Sequence, residues 1–187
     1  MNVYDFDDTI YRGDSTVDFY KFCLKKKPHI IFKFPLFTGL LFALKMKKKV
    51  EFKEKFFRFL SSFKNIDSEI KEFWCEHESD IKDFYIRQQK DDDLVISASP
   101  YFLLKPIIDK LNITYLIASN VDKETGKYDG ENCWGREKVR RFRQAFPEEK
   151  IDQFYSDSLS DSPLASLADR AFIVVDEDLI PWNNYIK

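Results

Sequence analysis

Three carboxylates, those of Asp5, Asp7 and Asp8, follow a short apolar run near the start of the chain. Aspartate often ends a strand because its side chain forms turns, which accounts for one or two of the three but not for a cluster. Asp5 and Asp7 alternate by two along a predicted strand at residues 2–6, so they can point toward one pocket if the strand continues to its end. The carboxylate of Asp5 could attack the phosphorus of a phosphate ester. Asp7 could protonate the leaving oxygen and later deprotonate the attacking water.

Other polar residues suit the same chemistry, because a phosphoryl group needs donors for its oxygens and a fixed positive charge. Ser97 offers a hydroxyl, and Ala98 beside it offers a backbone amide. Lys138, near the start of a predicted basic helix, can supply the charge. Clustered carboxylates repel one another unless a divalent cation joins them. The acidic clusters at 5–8 and 156–161 therefore suggest oxygen ligands for magnesium.

Short strand-like runs alternate with helical patterns from residue 93 onward. The predicted strands are 94–99, 113–119, 152–157 and 171–176, and the predicted helices are 102–111, 136–146 and a short one after Pro163. This alternation indicates a parallel sheet covered by helices, and the ligands of such sheets bind beyond the carboxyl ends of the strands. Three polar features fall at the carboxyl end of a predicted strand, namely the acidic turn at 5–8, Ser97 and Asp157. We expect them to converge on one edge of the sheet.

The segment between the first strand and the rest of the sheet has a helical pattern, with apolar residues on one face as in amphipathic helices that pack on one another. The predicted helices are 15–27, 51–63 and 67–90. The sequence thus predicts an α/β fold whose core is a Rossmann-like, three-layer parallel sheet of residues 1–13 and 91–187. Residues 14–90 are predicted to form an inserted α-helical cap domain over the edge where the polar residues meet.

The composition is that of a globular protein with one domain, or one domain carrying an insertion: 187 residues, 44% hydrophobic and 33% charged. Acidic residues break the first apolar run at once, so it lacks a signal-peptide pattern and a cytoplasmic location is expected. The three cysteines lack the spacing of a disulfide framework or a zinc site. A net charge of −2 and a pI near 5.8 argue against nucleic acid as a partner of the basic helix at 136–144.

The predicted cap is basic, since residues 21–64 carry 13 Lys and Arg against 2 acidic residues. Within it, the apolar and aromatic stretch 29–46 is flanked by lysines at 25–27 and 47–49. A lysine and a proline interrupt this stretch, so it falls short of the roughly 20 apolar residues that a spanning helix needs. Two interpretations stay open. In the first, the stretch rests on an anionic membrane surface as a peripheral contact. In the second, it forms the core of the cap, which is the more common explanation of apolar residues at helical spacing.

Four motifs succeed one another along the chain. They are DFDDT at 5–9, VISAS at 95–99, GREK at 135–138 and SDSLSD at 156–161. In this order and spacing the chain resembles the haloacid dehalogenase (HAD) superfamily of phosphohydrolases. Within that superfamily it is similar to the phosphoserine-phosphatase-like branch (subfamily IB), in which a helical cap follows the first motif. The resemblance covers residues 1–161.

The resemblance implies a phosphoric monoester hydrolase in which Asp5 is the nucleophile that becomes an aspartyl-phosphate. Asp7 would be the general acid and base, and Ser97 and Lys138 would be phosphate ligands. The dehalogenases of the superfamily lack an acid at the position of Asp7, so its presence favours phosphoryl chemistry. Mutases share the aspartyl-phosphate and stay open as an alternative.

Magnesium is the cofactor that the resemblance implies. Asp5, the backbone carbonyl of Asp7 and Asp157 would hold the ion. Asp161, in the closing acidic motif, would orient Lys138 or a water bound to the metal.

The substrate is defined less closely. The family's phosphoserine enzymes carry a Glu nine residues after the nucleophile, where this chain has Asp14, and a cap arginine that Arg58 matches. A small phosphorylated metabolite is the expected substrate. The alternative enzyme is a lipid-phosphate phosphatase at an anionic membrane, as in the phosphatidylglycerophosphatase-type members that this branch resembles. The alternative that is not an enzyme is a phosphate-binding or membrane-binding module.

Overall fold

The computed structural model describes residues 1–32 and 50–185. The strands are β1 (Asn2–Tyr4), β2 (Leu94–Pro100), β3 (Tyr115–Ser119), β4 (Ile151–Ser156), β5 (Ala168–Val175) and β6 (Asp178–Pro181). They form one sheet in the order β3-β2-β1-β4-β5-β6. All neighbours pair in parallel except β6, which runs antiparallel to β5. The predicted Rossmann-like α/β sheet is confirmed.

β1 lies in the middle of the sheet, between β2 and β4. Val3 joins the hydrophobic cluster on one face and Tyr4 joins the cluster on the other, as in a strand that is buried on both sides. From β1 the chain proceeds to β2 and β3 on one side, and then to β4 and β5 on the other. The strand order therefore reverses beside β1, and α/β sheets form their ligand crevice at such a point.

Helices cover the sheet and occupy the segment between β1 and β2. They are α1 (Ser15–Lys26), α2 (Val50–Phe57), α3 (Ile66–His77), α4 (Asp83–Gln88), α5 (Tyr101–Lys110), α6 (Arg136–Ala145), α7 (Ser162–Ala165) and α8 (Trp182–Tyr185). Short 3-10 turns lie at Pro28–Phe32, Arg58–Ser62, Glu78–Asp80 and Leu159–Asp161. Across the two described ranges, none of the helices combines the length and the apolar character that crossing a bilayer requires.

Aromatic side chains from the helical segment form a shared core. The ring of Phe19 in α1 lies 6.2 Å from that of Phe59 and 5.4 Å from that of Phe73 in α3. All three side chains are at most 1% exposed, so these phenylalanines are packing residues. Most of the apolar stretch 29–46 lies outside the described residues, and its contact with a membrane stays a prediction.

The prediction of a single helix at 67–90 is wrong, because the structure divides this range into α3 and α4. Between these helices the backbone pairs with the loop that follows β1. The N–H of Arg12 donates to the carbonyl of Asp80 at 2.8 Å, and the N–H of Lys82 donates to the carbonyl of Ile10 at 2.8 Å. These bonds replace helical ones and attach the helical segment to the acidic loop.

Candidate active site

Asp5 directly follows β1 and continues its pairing with β4, because its N–H donates to the carbonyl of Tyr155 at 2.9 Å. Its Oδ1 accepts from the N–H of Phe6 at 2.8 Å and lies 3.0 Å from Nζ of Lys138. Only 14% of the side chain is exposed. Burial raises the pKa of Asp5 well above its usual range, against the opposing effect of Lys138. Adjacent positive charge therefore decides whether Asp5 is ionised, as a nucleophile must be.

Lys138, in the first turn of α6, contacts two carboxylates while only 1% of its side chain is exposed. Its Nζ donates to Oδ2 of Asp161 at 2.7 Å, in addition to the contact with Asp5. The hydroxyl of Ser156 donates to the same Oδ2 at 2.9 Å, which holds Asp161 in place. Burial lowers the pKa of Lys138, but the carboxylates of Asp161 and Asp5 outweigh that effect and the pKa is raised overall. Lys138 is thus a permanent cation beside Asp5.

The two carboxylate oxygens of Asp7 accept from different elements. Oδ1 accepts from the N–H of Ser15, at the start of α1, at 2.8 Å. Oδ2 accepts from the hydroxyl of Ser99 in β2, and the hydroxyl of Thr16 lies 3.0 Å from that of Ser99. Burial, together with the charge of Asp14, raises the pKa of Asp7 to about 7. A carboxyl group that titrates near neutral pH can both donate and accept a proton, as a general acid and base must.

Thr9, the last residue of the first motif, is fully buried and connects the acidic loop to β4. Its Oγ1 accepts from the N–H of Asp157 at 2.9 Å. The loop reverses because Asp8 adopts a left-handed φ of 53° and its N–H donates to the carbonyl of Gly13 at 2.9 Å. Asp157 is the first residue after β4, close enough to Asp5 for its charge to raise the pKa of that group.

Ser97 is fully buried in β2, and its Oγ accepts from the N–H of Ser99 at 3.0 Å. A hydroxyl that accepts one bond can still donate its proton to a phosphoryl oxygen. Ala98 is half-buried, and its carbonyl accepts from Nζ of Lys53 at 3.3 Å. Ser97 and Ala98 therefore lie next to Ser99, the donor that holds Asp7.

One observation among the described residues suits a magnesium ion at this edge, namely a buried carboxylate oxygen of Asp161 that has no hydrogen-bond partner. Within residues 1–32 and 50–185, no three side chains of His, Cys, Asp or Glu come together as a metal centre, so the predicted ligand set needs the carbonyl of Asp7 besides Asp5 and Asp157. Oδ1 of Asp161 is buried and accepts no hydrogen bond from any described residue. A buried carboxylate oxygen without a partner is costly, and a hydrated cation would satisfy it. With Oδ2 bound to Lys138, Asp161 is placed to orient that lysine.

The two predicted substrate residues lie in different places. Asp14 caps α1 by accepting from the N–H of Val17 at 3.0 Å, and its charge acts on Asp7. Arg58 is exposed on the turn Arg58–Ser62. Its side chain forms no hydrogen bond or ion pair with the other predicted site residues in the described part of the chain. The structure therefore brings Asp14 to the predicted site and leaves Arg58 outside it.

Sequence reasoning did not select several residues that contact this site, among them Ser15 and Thr16 of α1, Ser99 of β2 and Lys53 of α2. Ser99 donates to Asp7 and could have been found, since residues two apart on a strand share a face and Ser97 was already selected. Lys53 of α2 extends to the same edge, and its Nζ donates to Oδ1 of Asn132 at 2.8 Å. Nothing in the sequence distinguishes Lys53 from the many lysines around it.

Comparisons with known proteins agree with this geometry. A model of the haloacid dehalogenase-like hydrolase family matches residues 3–166, most of the chain, so the chain belongs to this family. Protein CicA of Caulobacter vibrioides is 29% identical over 82 residues, which span 41% of this chain and 37% of that protein.

Two solved structures show the same fold. A protein of unknown function from Bordetella pertussis Tohama I has a TM-score of 0.75 at 17% identity, over 92% of this chain and 88% of that one. A phosphoserine phosphatase in its apo form has a TM-score of 0.56 at 15% identity, over 90% of this chain and 82% of that one. The predicted superfamily is confirmed by the family model, and the two solved structures show the same fold.

Proposed function

We propose that this hydrolase is a magnesium-dependent phosphatase that cleaves the phosphomonoester of a small phosphorylated metabolite through an aspartyl-phosphate at Asp5. The supporting observation is the contrast between two neighbouring carboxyl groups. Burial raises the pKa of both groups, but Asp5 lies 3.0 Å from Lys138, whose charge opposes that rise, whereas Asp7 accepts from neutral donors and has its pKa raised to about 7. Carboxyl groups whose environments differ in this way take separate roles, one ionised and one acid–base.

The reaction has two displacements at phosphorus. In the first, an oxygen of Asp5 bonds to phosphorus, the bond to the alcohol oxygen breaks, and Asp7 gives that oxygen a proton. In the second, water bonds to phosphorus while Asp7 takes its proton, and the bond to Asp5 breaks to release inorganic phosphate. Lys138, the hydroxyl of Ser97 and the N–H of Ala98 hold the phosphoryl oxygens throughout.

Magnesium would be held by Asp5, the carbonyl of Asp7 and Asp157. The ion supplies positive charge that offsets both the phosphoryl oxygens and the clustered carboxylates. Residues 14–90 would act as a cap over the core of residues 1–13 and 91–187. This division is supported by the N–H of Ser15 and the ammonium of Lys53, which come from α1 and α2 and meet the edge of the core sheet.

Release of phosphate from p-nitrophenyl phosphate tests the proposal. The protein is first treated with EDTA and then assayed with and without added Mg²⁺. We expect turnover that is absent after chelation and returns with Mg²⁺. Phosphoserine is a useful second compound, because a phosphoserine phosphatase shares the fold. A folded protein that releases no phosphate from either compound at any Mg²⁺ concentration would contradict the proposal.

Replacing Asp7 with Asn should separate the two displacements. Nitrophenolate leaves phosphorus without a proton, so the first displacement should continue, whereas the attacking water loses its base. We expect a burst of about one nitrophenolate per protein, followed by a steady rate about 10²-fold below that of the native protein. Stopped-flow absorbance measures both phases. If Asp7→Asn lowers the burst rate and the steady rate equally, Asp7 is not the base of the second displacement.

A further inference from the structure

The two edges of the sheet differ in how they are protected against further pairing. On one side the sheet ends at β6, which is four residues long, begins with Asp178 and ends with Pro181. Short length, charge and proline all discourage another strand from pairing with an edge. On the other side it ends at β3, whose sequence YLIAS contains neither a charge nor a proline. In the part of the chain that the structure describes, no strand pairs with the outer edge of β3, which is therefore open to one.

Apolar side chains lie on both faces of the sheet at this edge. Leu116 packs against the hydrophobic cluster on one face and Ile117 packs against the cluster on the other, and both are only half-buried. A strand that pairs with β3 would extend both clusters. Main-chain hydrogen bonds and apolar contacts would then act together in the same interface.

A cavity of about 270 Å³ opens along the same edge, between the helices that cover the two faces. Its walls come from α5, from β3 and from the end of α6. Tyr101 and Tyr115 line it, and each is 38% exposed. The ring of Tyr115 lies 5.2 Å from that of Phe146, directly after α6. Exposed aromatic side chains beside an open cavity are typical of interfaces between proteins.

The charges of α5 match a second copy of this chain. Lys105 and Asp109 lie one turn apart, form an ion pair with each other and line the cavity from the exposed side of the helix. A twofold axis perpendicular to the sheet would pair β3 with β3 of the second copy and place the two α5 helices antiparallel on one face. Lys105 of each copy would then face Asp109 of the other. A surface whose opposite charges match under such a rotation is complementary to itself.

We propose that β3 pairs antiparallel with β3 of a second copy of this chain, so that two six-stranded sheets join into one across a twofold axis. The carboxyl ends of the strands in the two copies then point in opposite directions. The two candidate active sites lie at opposite ends of the joined sheet, so the pairing leaves both outside the interface. This inference does not depend on the proposed phosphatase function.

Sedimentation equilibrium of the full chain tests the pairing. We expect the native protein at about 100 µM to have twice the 22.3 kDa mass of one chain. Tyr115→Lys places a charge at the edge of β3 and should weaken dimerisation at least about tenfold. Tyr185→Lys is the matched control, because it replaces another exposed tyrosine, in α8, and should leave the dimer unchanged. A native protein that stays monomeric at this concentration would overturn the proposal.

Two charge variants separate contacts between copies from contacts within one copy. Lys105→Asp leaves two acids on this part of α5, and Asp109→Lys leaves two lysines. Each variant alone should dimerise at least about tenfold more weakly than the native protein, since like charges then face each other across the axis. An equimolar mixture should dimerise as tightly as the native protein, because the acids of one copy face the lysines of the other, although neither copy regains its internal ion pair.

Circular dichroism establishes that each variant is folded before it is sedimented. If the mixture dimerises no better than the separate variants, α5 does not face α5 and the proposal is wrong. A native dimer that Tyr115→Lys and both charge variants leave intact would also contradict it, because the copies would then meet through another surface.

Discussion

Replacing Asp5 with Asn should lower magnesium-dependent phosphate release by at least about 10³-fold, because an amide cannot form the aspartyl-phosphate. The fold should be retained. Asn has the shape of Asp, and its Oδ1 can still accept from the N–H of Phe6, which bonds to Asp5 at 2.8 Å. Because burial raises the pKa of Asp5 well above its usual range, the ionised form opposes folding at neutral pH. We therefore expect a Tm for Asp5→Asn equal to or above that of the native protein.

Asp8→Asn is the matched control for this experiment. It removes one carboxylate from the same cluster, but Asp8 is exposed and has no part in the proposed chemistry. Asn also tolerates the left-handed φ of 53° at this position. Its kcat should stay within about twofold of the native value, since exposed charges contribute little. If Asp5→Asn keeps its activity, Asp5 is not the nucleophile. If Asp8→Asn is as inactive as Asp5→Asn, the activity depends on the charge of the cluster.

The convergence of Asp5, Ser97 and Asp157 could be predicted because it depends on local pattern. Each residue lies at or near the end of an apolar run, and the runs are strands of one parallel sheet. The carboxyl ends of parallel strands meet at a common edge of the sheet. Polar residues that follow these strands therefore lie close together in space, although they are far apart in the sequence.

The sequence patterns did not predict features that depend on pairing between distant parts of the chain. The break between α3 and α4 arises where the backbone of Lys82 bonds to that of Ile10, across 72 residues of sequence. Hydrophobic periodicity reports which face of a helix is buried, but it carries no information about such a partner. The edge strand β6 was also missed, because four residues beside a turn give too short a pattern to recognise.

Residues that the helical segment contributes to the site were the hardest to predict. Lys53 reaches Ala98 only because α2 packs against the loop at Gly126, and that contact is between distant parts of the chain. Ser15 and Thr16 were likewise absent from the prediction, although the first donates to Asp7 at 2.8 Å. A helical pattern in the sequence shows that such residues belong to a helix. It does not show where that helix packs against the sheet.

Replacing Lys138 with Met should lower both stability and activity. Asp161 is 1% exposed and loses the ion pair that Lys138 makes with it at 2.7 Å. Removing one partner of a buried ion pair costs about 3–5 kcal/mol of unfolding free energy, because the remaining charge is uncompensated. Phosphate release should fall by about 10³-fold, since the phosphoryl oxygens lose their fixed cation. Urea unfolding and a phosphate assay at a temperature where the variant is folded measure the two effects.

Adding Asp161→Asn to Lys138→Met separates those effects. The double variant no longer buries an unpaired carboxylate at position 161, and the hydroxyl of Ser156, which donates to Oδ2 at 2.9 Å, can still bond to the amide oxygen. It should therefore regain a large part of the lost unfolding free energy. Phosphate release should stay as low as in Lys138→Met, because the cation beside Asp5 is still missing. If turnover returned with stability, Lys138 would act only through the fold, and the proposed phosphate ligand would have to be another residue.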